Sequence, residues 1–187
     1  VLYDTSYSAW AARVWWMLRW VGFDQAGLLD GGLQVWRDEG RTLSTEPASR
    51  AAKHLTYTLR PELIADRKEV LASIDDNTVC IIDTLPEEFY RGETTIYDRP
   101  GHIPGATNIC GLNLLNESGR FRPDDELAAM HDGDRNTRTI TYCGGGILAS
   151  LNAFVMIRLG FTNVAVYTAS LQEWAADPAN PLAVETS

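Results

Sequence analysis

Cys143 opens the segment with the clearest chemical character in this chain, Cys143-Gly144-Gly145-Gly146-Ile147-Leu148, which follows the apolar run Thr139–Tyr142. Three consecutive glycines let several backbone N–H groups turn toward one centre without Cβ atoms in the way. The helical stretch expected over Ala149–Leu159 adds the partial positive charge of its N-terminal end. A thiol at the head of such a loop is biased toward thiolate, the nucleophilic form of cysteine. The competing reading is an inert cysteine in the core; the three glycines favour the nucleophile.

Other uses of the loop fit less well. Gly144-x-Gly146-x-x-Ala149 has the outline of a dinucleotide fingerprint, but the next apolar run ends at Tyr167-Thr168 with no acidic residue for a ribose. A P-loop needs Gly-Lys-Ser/Thr, which is absent. A Cys-based phosphatase needs an arginine closing the loop, and Ala149 stands there. The loop carries no charged side chain, so it suits a neutral or singly charged sulfur donor better than a phosphoester. No metal-ligand constellation is visible and no cofactor is expected.

The elements that position Cys143 follow from the pattern of the chain. Short apolar runs alternate with helical stretches, which predicts an α/β fold with a parallel sheet and helices on both faces. Asp83, Cys143 and Thr168 fall at the carboxyl ends of such runs, where parallel sheets bind ligands. Pro61–Ile74 has helical periodicity with proline in the first turn. The chain also repeats itself. Val1–Asp4 lies over Ile140–Cys143, Gly22-Phe23 over Gly160-Phe161, Ala26–Leu29 over Val164–Tyr167, and Leu33-Gln34 with Trp36 over Leu171-Gln172 with Trp174. The first copy holds only a strand–helix–strand–helix part of the second. Residues 1–42 are therefore expected to be the C-terminal part of a Cys-lacking sister domain, truncated at its N-terminus. A linker over 43–56 and the catalytic domain over 57–187 follow. A segment of about 90 residues before Val1, or another polypeptide, would complete the first copy.

Composition narrows the partners. The 187 residues include 16 Lys+Arg and 25 Asp+Glu, for a net charge of −9. Such a chain is a poor match for nucleic acid or an anionic membrane. Hydrophobic residues make up 45%, enough for a packed core. The longest apolar runs are interrupted by Arg13, Arg19, Asn152 and Arg158, so no segment approaches the roughly 18 apolar residues of a membrane span. Cys80, Cys110 and Cys143 form no CxxC pair, and a reducing, cytoplasmic setting is the simplest expectation. Cys80 reads as core, and Cys110 is a candidate resolving partner for Cys143. His54 and His131 read as solvated, and Trp15, Trp16 and Trp20 as packing residues. Asp124-Asp125-Glu126 reads as the charged start of a helix.

Three segments carry a family resemblance: Tyr142–Ala149, Arg99-Pro-Gly-His102-Ile-Pro-Gly105-Ala106, and Asp30-Gly-Gly-Leu-Gln-Val-Trp36. Together they resemble the tandem-domain rhodaneses, the thiosulfate and 3-mercaptopyruvate sulfurtransferases, over almost the whole chain. In that family only the C-terminal domain carries the cysteine, and Asp4 here aligns with Cys143. The resemblance implies a ping-pong sulfur transfer through a Cys143 persulfide, with backbone N–H groups of Gly144, Gly145, Gly146, Ile147 and Leu148 holding the developing charge. It implies a small-molecule donor, a thiol or cyanide acceptor, and a possible thioredoxin-like reductant. It makes His102 chiefly structural and matches Arg91 to a substrate-binding arginine. Leu85 stands where the family's other arginine is expected, which leaves open a rhodanese-like binding or regulatory module with little catalysis. The small neutral loop is nearer the mercaptopyruvate type.

Overall fold

The computed structural model describes residues 1–47 and 49–185. Its centre is a five-stranded, all-parallel sheet: β1 (Ile64–Ala65), β2 (Val79–Asp83), β3 (Thr107–Asn108), β4 (Arg138–Tyr142) and β5 (Val164–Tyr167), in the spatial order β1-β5-β4-β2-β3. Every residue of β5, and all of β4 after Arg138, is buried. Successive residues of a strand point to opposite faces, so unbroken burial means that both faces are covered. That is why these strands read as continuous apolar runs. The α/β expectation with a parallel sheet is met.

Among the described residues, seven α-helices accompany the sheet: α1 (Ala9–Trp20), α2 (Gly32–Asp38), α3 (Arg67–Ser73), α4 (Glu87–Tyr90), α5 (Asp124–Met130), α6 (Ile147–Arg158) and α7 (Ser170–Trp174). None is long and apolar enough to cross a membrane. α5 starts with its three acidic residues directly after Pro123, as expected. Pro61–Ile74 is not one helix. It divides into a 3-10 turn, the edge strand β1 and α3, whose N-cap Asp66 accepts the Glu69 amide at 2.8 Å. Pairing of Ile64 and Ala65 with β5 wins over helical periodicity there. α6 begins two residues earlier than expected, directly at the end of the glycine loop. His131, expected in solvent, is buried; its Nδ1 lies 2.8 Å from the Leu127 carbonyl and its Nε2 3.1 Å from the Asn152 side chain. It fills the gap where α5 ends over α6.

The segment 1–42 packs onto the sheet-bearing part. Ala9 and Ala12 of α1 share a cluster with Leu151 and Val155 of α6, and Trp15 meets Phe154 edge-on at 4.9 Å. Trp16 is fully buried and donates its indole N–H to the Leu63 carbonyl at 3.1 Å. Trp16→Ala is expected to destabilise the protein by about 3–5 kcal/mol in urea unfolding, because it removes both apolar burial and a satisfied polar contact. A loss below about 1 kcal/mol would mean that α1 is not docked as described.

The two segments matched in the sequence share backbone detail. Leu2 and Leu28 form a parallel bridge, as β4 and β5 pair in parallel. Leu33 donates to the Asp4 carbonyl and Leu171 to the Cys143 carbonyl, both at 3.0 Å. The turn after α1, with Phe23 N–H on Leu18, matches that after α6, with Phe161 N–H on Met156. In the first segment the strands expected at Val1–Asp4 and Ala26–Leu29 reduce to that single bridge.

Candidate functional site

β4 is the central strand of the sheet, and the chain leaves its carboxyl end into Cys143. The loop turns back through Gly146, which has φ 81° and serves as N-cap of α6. This left-handed conformation aims the Gly146 N–H at the Cys143 sulfur, with N to Sγ at 3.1 Å. The start of α7 clamps the loop from the other side. Ser170 Oγ accepts the Cys143 N–H at 3.1 Å, Leu171 N–H donates to the Cys143 carbonyl, and Gln172 N–H donates to that of Gly144 at 2.9 Å. Ser170 itself sits at φ 54°, a strained value for a residue with a side chain, and its hydroxyl donates to the Tyr167 carbonyl at 2.7 Å. Ser150 Oγ holds the Gly146 carbonyl at 2.7 Å. Cys143 is 3% exposed, so a sulfur attacked or transferred there is largely shielded from water.

The first segment shows what the same kind of loop does with a fixed negative charge. Asp4 stands where Cys143 stands in the second, and its carboxylate accepts three backbone N–H groups: Ser6 at 2.8 Å, Ser8 at 3.1 Å and Ala11 at 2.8 Å. Ser8, the N-cap of α1, is left-handed like Gly146. Both loops therefore bring main-chain N–H groups to the group at the strand's end.

The expected site residues divide into two sets. Gly144, Gly145, Gly146, Ile147 and Leu148 do surround the helix entrance, with Gly144 and Gly146 buried and the other three half-buried. Among the described residues, Gly146 donates the hydrogen bond to Sγ. Arg91 does not join them. It is exposed, pairs with Glu87, with Glu185 at 3.4 Å and with Glu93 at 3.9 Å, and lines a cavity of about 650 Å³ with Cys110, Asn113 and Met130. That cavity's lining does not include Cys143. Three carboxylates hold Arg91 there. Leu85, in place of the expected arginine, is a buried member of the core. Cys80, Cys110 and Cys143 are all free thiols, and burial pushes the Cys80 thiol up. His102 stacks on Tyr90 at 3.8 Å and bonds its carbonyl through Nδ1 at 2.7 Å, a structural role as expected.

Sequence reasoning missed three neighbours of the loop. Ser170 clamps it. Tyr97 presses its hydroxyl against Gly144, 1.8 Å from where a Cβ would stand. Its phenol is pushed up by burial first, then by the negative charges of Cys143 and Asp83. Arg13 reaches Gly146 with Nη1, 2.9 Å from the corresponding Cβ position. Burial holds its guanidinium below the usual arginine value, and Cys143 partly offsets this. One signal for Arg13 is in the sequence: with Ala9, Ala12 and Trp16 it occupies the i, i+3, i+4, i+7 stripe that a helix buries.

Asp83, at the end of β2 beside β4, is fully buried, and burial raises its carboxyl from 3.8 to about 6, against the Leu85 N–H, which favours the anion. Between these values the folded protein keeps a proton that the unfolded chain releases. The associated stability is complete below about pH 4 and is lost as pH rises through about 6. Asp83→Asn is expected to gain about 3 kcal/mol on the wild type between pH about 4 and about 7 in urea unfolding. Identical pH dependence in both proteins would rule out this buried carboxyl as the source.

Among the described residues, no group of His, Cys, Asp and Glu is arranged to hold a metal ion. Comparison with known proteins gives concordant matches. The model of the Rhodanese-like domain matches residues 66–177. A Pseudomonas aeruginosa protein named for 3-mercaptopyruvate sulfurtransferase is 33% identical over 98% of this chain and 66% of its own length. A Mycobacterium tuberculosis protein named for thiosulfate sulfurtransferase is 35% identical over 94% of this chain and 68% of its own. The crystal structure of SseA from Escherichia coli, described with the rhodanese fold and mechanism of 3-mercaptopyruvate sulfotransferases, superposes with TM-score 0.77 at 30% identity, covering 90% of this chain and 64% of that one. The chain thus spans about two thirds of these relatives.

Proposed function

The chain belongs to the rhodanese-like domain family, and from that premise we propose that it is a sulfurtransferase with Cys143 as the sulfur carrier. The observation that carries this reading is the Gly146 N–H bonded to Cys143 Sγ in a shielded loop at the end of the central strand. The Asp4 carboxylate in the matching loop supports it, since that loop is built to satisfy negative charge. The matching hydrogen bonds of Leu33 and Leu171 likewise support reading residues 1–42 as a Cys-lacking sister of the catalytic part.

In the first half-reaction the Cys143 thiolate attacks the outer sulfur of the donor. With thiosulfate the S–S bond breaks and sulfite leaves with the electron pair. With 3-mercaptopyruvate the C–S bond breaks, the pair passes to carbon as an enolate, and the thiol proton ends on that carbon to give pyruvate. Either route leaves a Cys143 persulfide, whose negative charge the loop N–H groups stabilise. In the second half-reaction cyanide or a thiol, including that of a thioredoxin-like protein, takes the terminal sulfur and restores the thiolate. The three free thiols suit a reducing, cytoplasmic setting.

The test is the intact mass of the protein after incubation with thiosulfate or 3-mercaptopyruvate. A gain of one sulfur atom, removed by cyanide, supports the transferase. One observation favours the second reading, a binding module with little catalysis: Leu85, where the family's arginine is expected, is core, and Arg91 is paired with Glu87 and Glu185. No adduct with either donor, with Cys143 still open to alkylation, would establish that reading instead.

A further inference from the structure

We propose that Arg13, on α1, holds the anionic end of the sulfur donor beside Cys143. This rests on the sulfurtransferase reading and supplies the cation that the glycine loop lacks. Three observations converge. Arg13 lies on the stripe of α1 that also carries the buried Ala9, Ala12 and Trp16, so its side chain is directed into the protein. Its Nη1 meets the loop at Gly146, whose missing side chain leaves room for it. That nitrogen is buried and has no hydrogen-bond partner among the described residues. Arg91, Arg120 and Arg138 are, by contrast, each paired with carboxylates.

A buried guanidinium N–H without an acceptor is costly, and such exceptions call for an explanation. An anionic ligand supplies the acceptor. Arginine keeps its charge at neutral pH and offers a planar fork that fits a carboxylate through two parallel bonds. One guanidinium balances one negative charge, and the loop itself has no other cation. A donor bearing a single carboxylate is therefore better matched than the thiosulfate dianion, whose second charge would sit uncompensated near the thiolate. Held by Arg13 at Gly146, such a donor has its sulfur end free to face Sγ, which Gly146 also touches.

The test uses the full chain with Arg13→Gln and Arg13→Lys, and pyruvate as a sulfur-free probe. Pyruvate should protect Cys143 of the wild type from alkylation by uncharged iodoacetamide. The Gln variant should need about 10- to 100-fold more pyruvate for the same protection, with the Lys variant in between. The KM for 3-mercaptopyruvate should rise by a similar factor in the Gln variant with kcat less affected, and discrimination between that donor and thiosulfate should shrink. Equal protection in the wild type and both variants, or no protection in the wild type, would overturn the assignment of Arg13. Persulfide formation measured alongside separates the two ideas. Arg13-dependent protection without any persulfide would sink the transferase reading and leave the anion anchor standing. Normal persulfide formation with unchanged pyruvate protection would do the reverse.

Discussion

Cys143→Ser is expected to lose persulfide formation entirely and to lower turnover by about 10⁴-fold or more. A serine hydroxyl can accept the Gly146 N–H in the same place, so the loop and fold should persist. What it lacks is a polarisable sulfur nucleophile able to form and release an S–S bond. Intact mass with each donor, and thiocyanate or pyruvate release, would measure the loss. Comparable sulfur loading in the variant would move the chemistry to Cys80 or Cys110. That outcome is disfavoured by their surroundings: Cys80 lies in β2 with its thiol pushed up by burial, and Cys110 lines the separate cavity with Arg91.

Gly146→Ala should have the next largest effect, and the neighbouring glycines provide the comparison. At φ 81° an alanine costs about 1–2 kcal/mol in backbone strain alone. Its Cβ would also stand 2.7 Å from the Thr168 carbonyl oxygen and 2.9 Å from Arg13 Nη1. The loop must shift, and with it the N–H that bonds Sγ. A loss of about 2–3 kcal/mol in stability and about 10²–10³-fold in turnover is expected. Gly144→Ala meets the Tyr97 hydroxyl at 1.8 Å and should also be harmful unless that ring swings away. Gly145→Ala meets nothing closer than Gln172 Oε1 at 3.6 Å and should be nearly silent. If all three substitutions behaved alike in unfolding and turnover assays, the loop geometry described for Gly146 would be wrong.

These contrasts bear on how the site is shared along the chain. Cys143 and its loop lie between β4 and α6, while Arg13, whose Nη1 reaches that loop, comes from α1. The docking of α1 through Trp15 and Trp16 is therefore a condition for completing the site as well as the core. A variant that loosens Trp16 should weaken donor binding along with stability.

The glycine loop after Thr139–Tyr142, its place at a strand's carboxyl end and the parallel sheet were all legible in the residues alone, and the reading of Cys143 as nucleophile rests on that loop. Each of these is written locally: three glycines after an apolar run, and short runs alternating with helical stretches. The match of Asp4 to Cys143 was read on the same ground, since it needs only two segments with the same order of residue types. The rest came from packing between segments distant in the chain. Pro61–Ile74 broke into strand and helix because β5 offered Ile64 and Ala65 a pairing partner. His131 was drawn inside by the Asn152 amide and the Leu127 carbonyl. Arg91 followed a family pattern in one dimension, but in three it is surrounded by Glu87, Glu93 and Glu185, the last from the far end of the chain. Arg13, which in the sequence merely interrupts an apolar run, was carried to Gly146 by the packing of α1 on α6. Local spacing specifies what a residue can do; which charges meet depends on contacts between distant segments, and those are fixed only when the helices dock.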